Sequence, residues 1–243
     1  MAQIVTSYSI LLIFALAPSI VWLLYFLRKD PHPEPRQEIV RIFFYGAIIA
    51  LPAALIEIGI LDLFAMALSA TILIALTEEV LKYLVVREKT LKNPEFNEPA
   101  DAMIYMISSA LGFAALENIL ILFSLAPVFL VQDALYLSAA RFIGATLLHT
   151  LVSGLIGFCL AISFFKMAKG KFWVLLGIIT ASALHALYNF SIISTDGNLQ
   201  FVIPGIVLMV LTIIISLCFQ KLKELAVDLY RYMREGITTF TTI

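Results

Sequence analysis

Charge is scarce in this 243-residue chain: only 14% of its residues are Asp, Glu, Lys or Arg. Neither sign is in excess, with 16 Lys and Arg against 17 Asp and Glu and a formal net charge of −1. No long basic or acidic run occurs, which excludes a polyanion-binding surface and with it nucleic acid as a partner. Cysteine is almost absent. Cys159 and Cys218 both sit in apolar runs, where thiols act as packing residues, so no disulfide framework is expected. Met1 to Ser9 carry no positive charge, unlike the basic start of a cleavable signal peptide, so the run that follows is read as a retained helix. No internal repeat is visible, which removes the usual support for an inverted-repeat transporter. Apolar residues, by contrast, are abundant. They make up 62% of the chain, and the mean hydropathy is +1.01. One core cannot hide that much apolar surface, so lipid must solvate the rest.

About 20 mostly apolar residues cross a bilayer as a helix, and seven stretches qualify: roughly 8–27, 39–60, 63–86, 102–125, 138–165, 172–193 and 200–220. The fifth is long enough to be tilted or kinked. Basic residues alternate between the loops. Arg28, Lys29, Arg36 and Arg41 follow the first span, Arg87, Lys89 and Lys92 the third, and Lys166, Lys169 and Lys171 the fifth. Lys221, Lys223, Arg231 and Arg234 follow the seventh. The other loops hold little beyond Asp62, Asp133, Arg141 and Asp196. Basic loops stay in the cytoplasm. The expectation is an all-α, polytopic helix bundle, a single transmembrane domain over 1–243, with the N-terminus outside and the C-terminus cytoplasmic. Asp30-Pro31-His32-Pro33-Glu34-Pro35-Arg36 is too proline-rich to be helical throughout and predicts a stiff connector. The tail from Lys221 to Glu235 alternates charged and apolar residues and predicts an amphipathic helix on the inner surface.

A charged side chain at bilayer depth costs about 2.5–3.5 kcal/mol on insertion scales, so each one is a functional candidate. Glu78, Glu79 and Lys82 lie in the third span. Lys82 is three and four residues from the two acids and so neighbours both, while Glu78 and Glu79 point about 100° apart and only one can face a given cavity. Glu78 lies about 13 Å along the helix from Arg87, too deep for a short acid to snorkel. A buried salt bridge that fixes helix packing is the plain alternative. Glu117 and Asn118 end the segment Gly112-Phe113-Ala114-Ala115-Leu116-Glu117-Asn118 of the fourth span. The small residues there admit a neighbouring backbone, and the polar pair reads most simply as interhelical hydrogen bonding. His149 in the fifth span precedes Ser153, Gly154 and Gly157. His185 and Asn189 of the sixth are four apart on one face near the midplane. Two of the three histidines and three glutamates therefore lie at membrane depth, a set hard to explain as packing alone.

A carboxylate with two imidazoles suits acid–base catalysis on water. The Glu takes a proton from water, a His shares that water or donates to the carbonyl oxygen, and the Asn amide stabilises the oxyanion. Glu78, His149 and His185 are equally a normal catalytic zinc set, although no His-Glu-x-x-His motif is present. A nucleophilic mechanism finds no Gly-x-Ser-x-Gly elbow, and neither Cys has an obvious base.

The ordered set Glu78-Glu79-x-x-Lys82, Gly112-Phe113-Ala114-x-x-Glu117-Asn118, His149 and His185-x-x-x-Asn189 resembles the PrsW family of intramembrane proteases. Asp30-x-x-Pro33-Glu34-Pro35 and Asp101 resemble it too, so the likeness runs from Asp30 to Asn189. A wider superfamily joins PrsW proteins to the Abi/CAAX prenyl proteases and to the APH-1 subunit of γ-secretase. In the CAAX pattern an Arg stands one residue later than Lys82 does here, which favours PrsW. The resemblance implies a glutamate-dependent, metal-independent peptidase without a cofactor. Glu78 would be the general base and Glu79 its support, His149 would help to hold the water, and His185 with Asn189 would form the oxyanion site. Lys82, Glu117 and Asn118 would be supporting residues. It also implies the plasma membrane of a prokaryote and site-1 cleavage of a single-span anti-sigma factor. Two rival readings use the same residues: a non-catalytic scaffold like APH-1, and a small proton-coupled transporter with Glu78, Glu79 and Glu117 as its relay.

Overall fold

Eight helices and no strand make up the described part of the chain. The computed structural model describes residues 8–30, 32–64, 67–91, 93–125, 131–165 and 169–235. The helices are α1 (Tyr8–Leu27), α2 (Arg36–Phe64), α3 (Leu68–Lys89), α4 (Pro99–Leu125), α5 (Val131–Ile143), α6 (Ala145–Phe165), α7 (Gly170–Ser194) and α8 (Leu199–Glu235). Six spans are long and apolar enough to cross a membrane: α1, α2, α4, α5 continued by α6, α7 and the first 29 residues of α8. Helix α3 is 22 residues long, about 33 Å, but carries Glu78, Glu79 and Lys82. It is not among the six, so six of the seven expected spans are found among the described residues. The long fifth stretch is two helices that meet at Gly144. The segment 221–235 is helical, as expected, and continues α8 without a break.

Helix α4 is the centre of the bundle. It is buried without interruption from Ala100 to Ala115, as its small and apolar composition on every face requires. The helices around it present apolar residues to lipid, including Leu55, Leu63, Phe201 and Met209. Glycine sets the α2–α4 spacing. A Cβ on Gly112 would lie 1.8 Å from the Phe43 carbonyl oxygen, and one on Gly46 would lie 2.0 Å from that of Ser109. The two backbones touch where both side chains are missing, as small residues allow in membrane helix pairs.

The basic segments gather at one end. Arg41 at the start of α2 donates to the Lys89 carbonyl at 3.0 Å and pairs with Glu38 at 2.7 Å, which also accepts from Asn93 at 2.9 Å. The ring of Phe96, before α4, packs 5.3 Å from that of Phe164 at the end of α6. Lys29 and Lys223 line one surface depression. At the same end the described residues of the connector after α1 are not helical, in keeping with Pro33 and Pro35. The Tyr105 hydroxyl of α4 donates to Glu34 of that connector, and Asp101 caps the start of α4 by accepting the N–H groups of Asn97 at 2.8 Å and Glu98 at 2.6 Å. Burial, with Asp101 and Asp30 close by, pushes the Glu34 carboxyl up to about 8 against the opposing hydrogen bond from Tyr105.

Candidate active site

Helical periodicity turns Glu78, Glu79 and Lys82 of α3 inward together, and all three are buried. The Lys82 ammonium lies 3.1 Å from Glu78 Oε2, 2.8 Å from Glu79 Oε1 and 2.8 Å from His149 Nδ1 of α6. The Phe113 ring of α4 closes over it, with its centroid 4.3 Å from Nζ. Three acceptors and an aromatic face thus satisfy a cation that is fully withdrawn from solvent, the condition on which a buried charge is tolerated.

Each histidine is held by a carboxylate. An ammonium only donates, so His149 Nδ1 accepts from Lys82 and the ring proton sits on Nε2, 2.9 Å from Glu117 Oε2. His185 Nδ1 lies 3.0 Å from Glu79 Oε1, and the other oxygen of Glu79 accepts from Ser153 at 2.7 Å. The two imidazoles meet edge to face at 4.9 Å. Both nitrogens of His149 are engaged, so the water-holding role expected of it has no free nitrogen in this arrangement. His185 keeps Nε2.

A cavity of about 640 Å³ opens against this cluster. Glu78, Glu117, His149, His185 and Asn189 line it, and Glu79 and Lys82 do not. Of the two adjacent carboxylates Glu78 is therefore the one that reaches the cavity, and Glu79 stands behind it. The Asn189 side chain makes no hydrogen bond to another described residue, which leaves its amide for whatever enters. Asn118 is placed elsewhere. It donates to the Ala15 carbonyl and to Thr146, each at 3.2 Å, and accepts from Arg141 Nε. It is a strut between α1, α4 and α6.

One charged residue of the site, and a second near it, are not singled out by the sequence alone. Arg141, read from sequence as a loop residue, is in the last turn of α5, lines the cavity and pairs with Glu117 at 3.1 Å. Glu57 of α2 lies within electrostatic range of Glu78, Glu117, Lys82 and His185. Its signal was legible as a lone acid in the run Leu55-Ile56-Glu57-Ile58 of an expected span.

Residues 34–217 match the family described as PrsW family intramembrane metalloprotease. The chain is similar to relatives that carry the name protease PrsW. That of Geobacillus kaustophilus is 29% identical over 74% of this chain and 78% of its own length. That of Bacillus subtilis is 28% identical over 79% and 87%, and that of Shouchella clausii 27% identical over 88% and 96%. No solved structure matches the chain.

Proposed function

The chain belongs to the PrsW family and is a multi-pass membrane peptidase, and on that premise we propose that Glu78 activates the water that attacks a peptide bond inside or beside the membrane. One observation carries this reading: Glu78, His185 and Asn189, from two helices far apart in sequence, line a single cavity. Glu78 takes the proton from water. His185, its Nδ1 tied to Glu79, presents Nε2 to the same water or to the carbonyl oxygen. The Asn189 amide donates to the developing oxyanion. Glu79, Lys82, His149 and Glu117 are positioning residues, since their polar atoms are spent on one another.

The family description includes a metal, and the donor set has the right composition for one. Glu78, Glu79, His149 and His185 each offer a ligand atom within 4.8 Å of the others, and Glu, His and His is a catalytic zinc set. The arrangement does not fit a metal, however. Lys82 Nζ already contacts three of the four residues at 2.8–3.1 Å, so the acceptor atoms these three share are already taken by a cation of the protein's own. The metal-free mechanism is preferred on that ground, and no step here passes through a metal.

Residues of both α5 and α8 line the cavity, and the backbones of these two helices do not approach each other within 8 Å among the described residues. We infer that a single transmembrane segment of the substrate reaches Glu78 between them. The basic end of the bundle faces the cytoplasm by the rule for positive loops, which puts the N-terminus outside. The substrate class remains the one the resemblance implies, a single-span anti-sigma factor in the plasma membrane of a prokaryote.

The test is cleavage of single-span substrates by detergent-purified protein, wild type against Glu78→Gln, His185→Ala and Asn189→Ala. Loss of cleavage in Glu78→Gln and His185→Ala, with weakened cleavage in Asn189→Ala, supports the assignment. Undiminished cleavage by Glu78→Gln overturns it.

A further inference from the structure

We propose that Asp30, Glu34 and Asp101 form a second site, which binds a hard divalent cation, Ca²⁺ or Mg²⁺, and clips the α1–α2 connector to the start of α4. The three residues come from both ends of the connector and from the first turn of α4, and each offers a carboxylate oxygen within 4.8 Å of the others. Asp30 is 6% exposed and Asp101 1%. No Lys or Arg among the described residues pairs with any of the three.

The hydrogen-bond inventory points the same way. Asp30 Oδ1 accepts from the His32 N–H at 3.1 Å, Asp101 Oδ2 takes the two N–H groups that start α4, and Glu34 Oε2 takes the Tyr105 hydroxyl. The second oxygens, Asp30 Oδ2 and Asp101 Oδ1, are buried and have no hydrogen-bond partner. Carboxylate oxygens only accept when ionised, so once all three acids are deprotonated neither oxygen can satisfy the other, and an unpaired buried acceptor carries its full desolvation cost. A cation bound by all three resolves the cost at once. The donors are oxygens alone, with no thiolate or imidazole among the three, which selects Ca²⁺ or Mg²⁺ over zinc or copper. Glu34 is only partly buried and neighbouring His32 is exposed, so the rim admits the ion and the waters that complete its shell. This site lies at the basic end of the bundle and shares no residue with the cluster around Lys82, so it stands independently of the peptidase mechanism.

The experiment titrates CaCl₂ and, separately, MgCl₂ into chelator-stripped, detergent-purified full-length protein by calorimetry. Wild type is compared with Asp30→Asn, Glu34→Gln and Asp101→Asn, and with Glu78→Gln, which alters only the membrane cluster. Saturable binding of one ion in wild type and Glu78→Gln, weakened about tenfold or more in the three connector variants, supports the site. Absence of saturable binding of either ion in wild type overturns it. So does binding that the connector variants leave unchanged, or that Glu78→Gln abolishes. Should a connector substitution prevent folding, tryptic cleavage of wild type after Lys29 and Arg36 gives a second readout. Slower cleavage in the presence of the bound cation supports the clip, and an unchanged rate overturns it.

Discussion

His185 Nδ1 lies 3.0 Å from Glu79 Oε1, so a carboxylate that never reaches the cavity fixes the ring of a histidine that does. Glu79→Gln keeps the shape but removes the negative charge that holds His185 Nδ1 and replaces one of the two acceptor oxygens with a donor. The expected result is a fall in kcat of about 10²–10⁴-fold, the range for losing one acid–base element, with little change in KM. Steady-state kinetics on a single-span substrate check it. A KM effect alone would place Glu79 in substrate binding instead.

Lys82 should matter first for stability. Lys82→Met leaves Glu78 and Glu79 buried without their cation, and breaking a buried pair in this way costs about 3–5 kcal/mol. Thermal unfolding in detergent should show the loss. Lys82→Arg should not restore the wild-type melting temperature, because a planar guanidinium cannot meet three acceptors at 2.8–3.1 Å in the ammonium's place. A variant as stable as wild type would mean that the ammonium is not the partner on which the two acids depend.

Glycine spacing is equally open to test. A Cβ on Gly112 would meet the Phe43 carbonyl oxygen at 1.8 Å, and backbone cannot yield as a flexible side chain can. Gly112→Val should separate α2 from α4 and lower stability by more than the roughly 1–3 kcal/mol typical of overpacking. Gly59→Val should be nearly silent, because nothing lies within 4 Å of that position. Melting temperatures of the two variants, measured side by side, check the contrast.

Substrate entry between α5 and α8 predicts that tethering them blocks activity. Cysteines placed at Ala140 of α5 and Gly205 of α8, which both line the cavity, should allow a flexible bis-maleimide to stop cleavage of a transmembrane substrate. Either cysteine alone, treated with the same reagent, should leave most of the activity. Full activity of the cross-linked protein would send the substrate by another route.

Much of the bundle and its polar centre is legible in the sequence, for physical reasons. Apolar runs of bilayer length and alternating basic loops mark the helices and the end of the bundle at which the loops meet. The i, i+3 and i, i+4 spacings alone put Lys82 against both acids. What spacing along one helix cannot reveal is which neighbour a side chain meets. Asn118 is therefore a strut beside Arg141, and His149 has both nitrogens occupied by residues from α3 and α4. Arg141 escapes a sequence reading because it looks like a loop charge, and Glu57 because a single acid in an apolar run lacks the pattern that makes the α3 cluster conspicuous.

The most direct measurement is cleavage of a single-span membrane substrate by purified wild type and Glu78→Gln, each with and without a metal chelator. Wild-type cleavage should survive the chelator, and Glu78→Gln should be inactive in both conditions. Cleavage abolished by the chelator and restored by zinc would contradict it, and would require Lys82 to give up its place among Glu78, Glu79 and His149 to a metal.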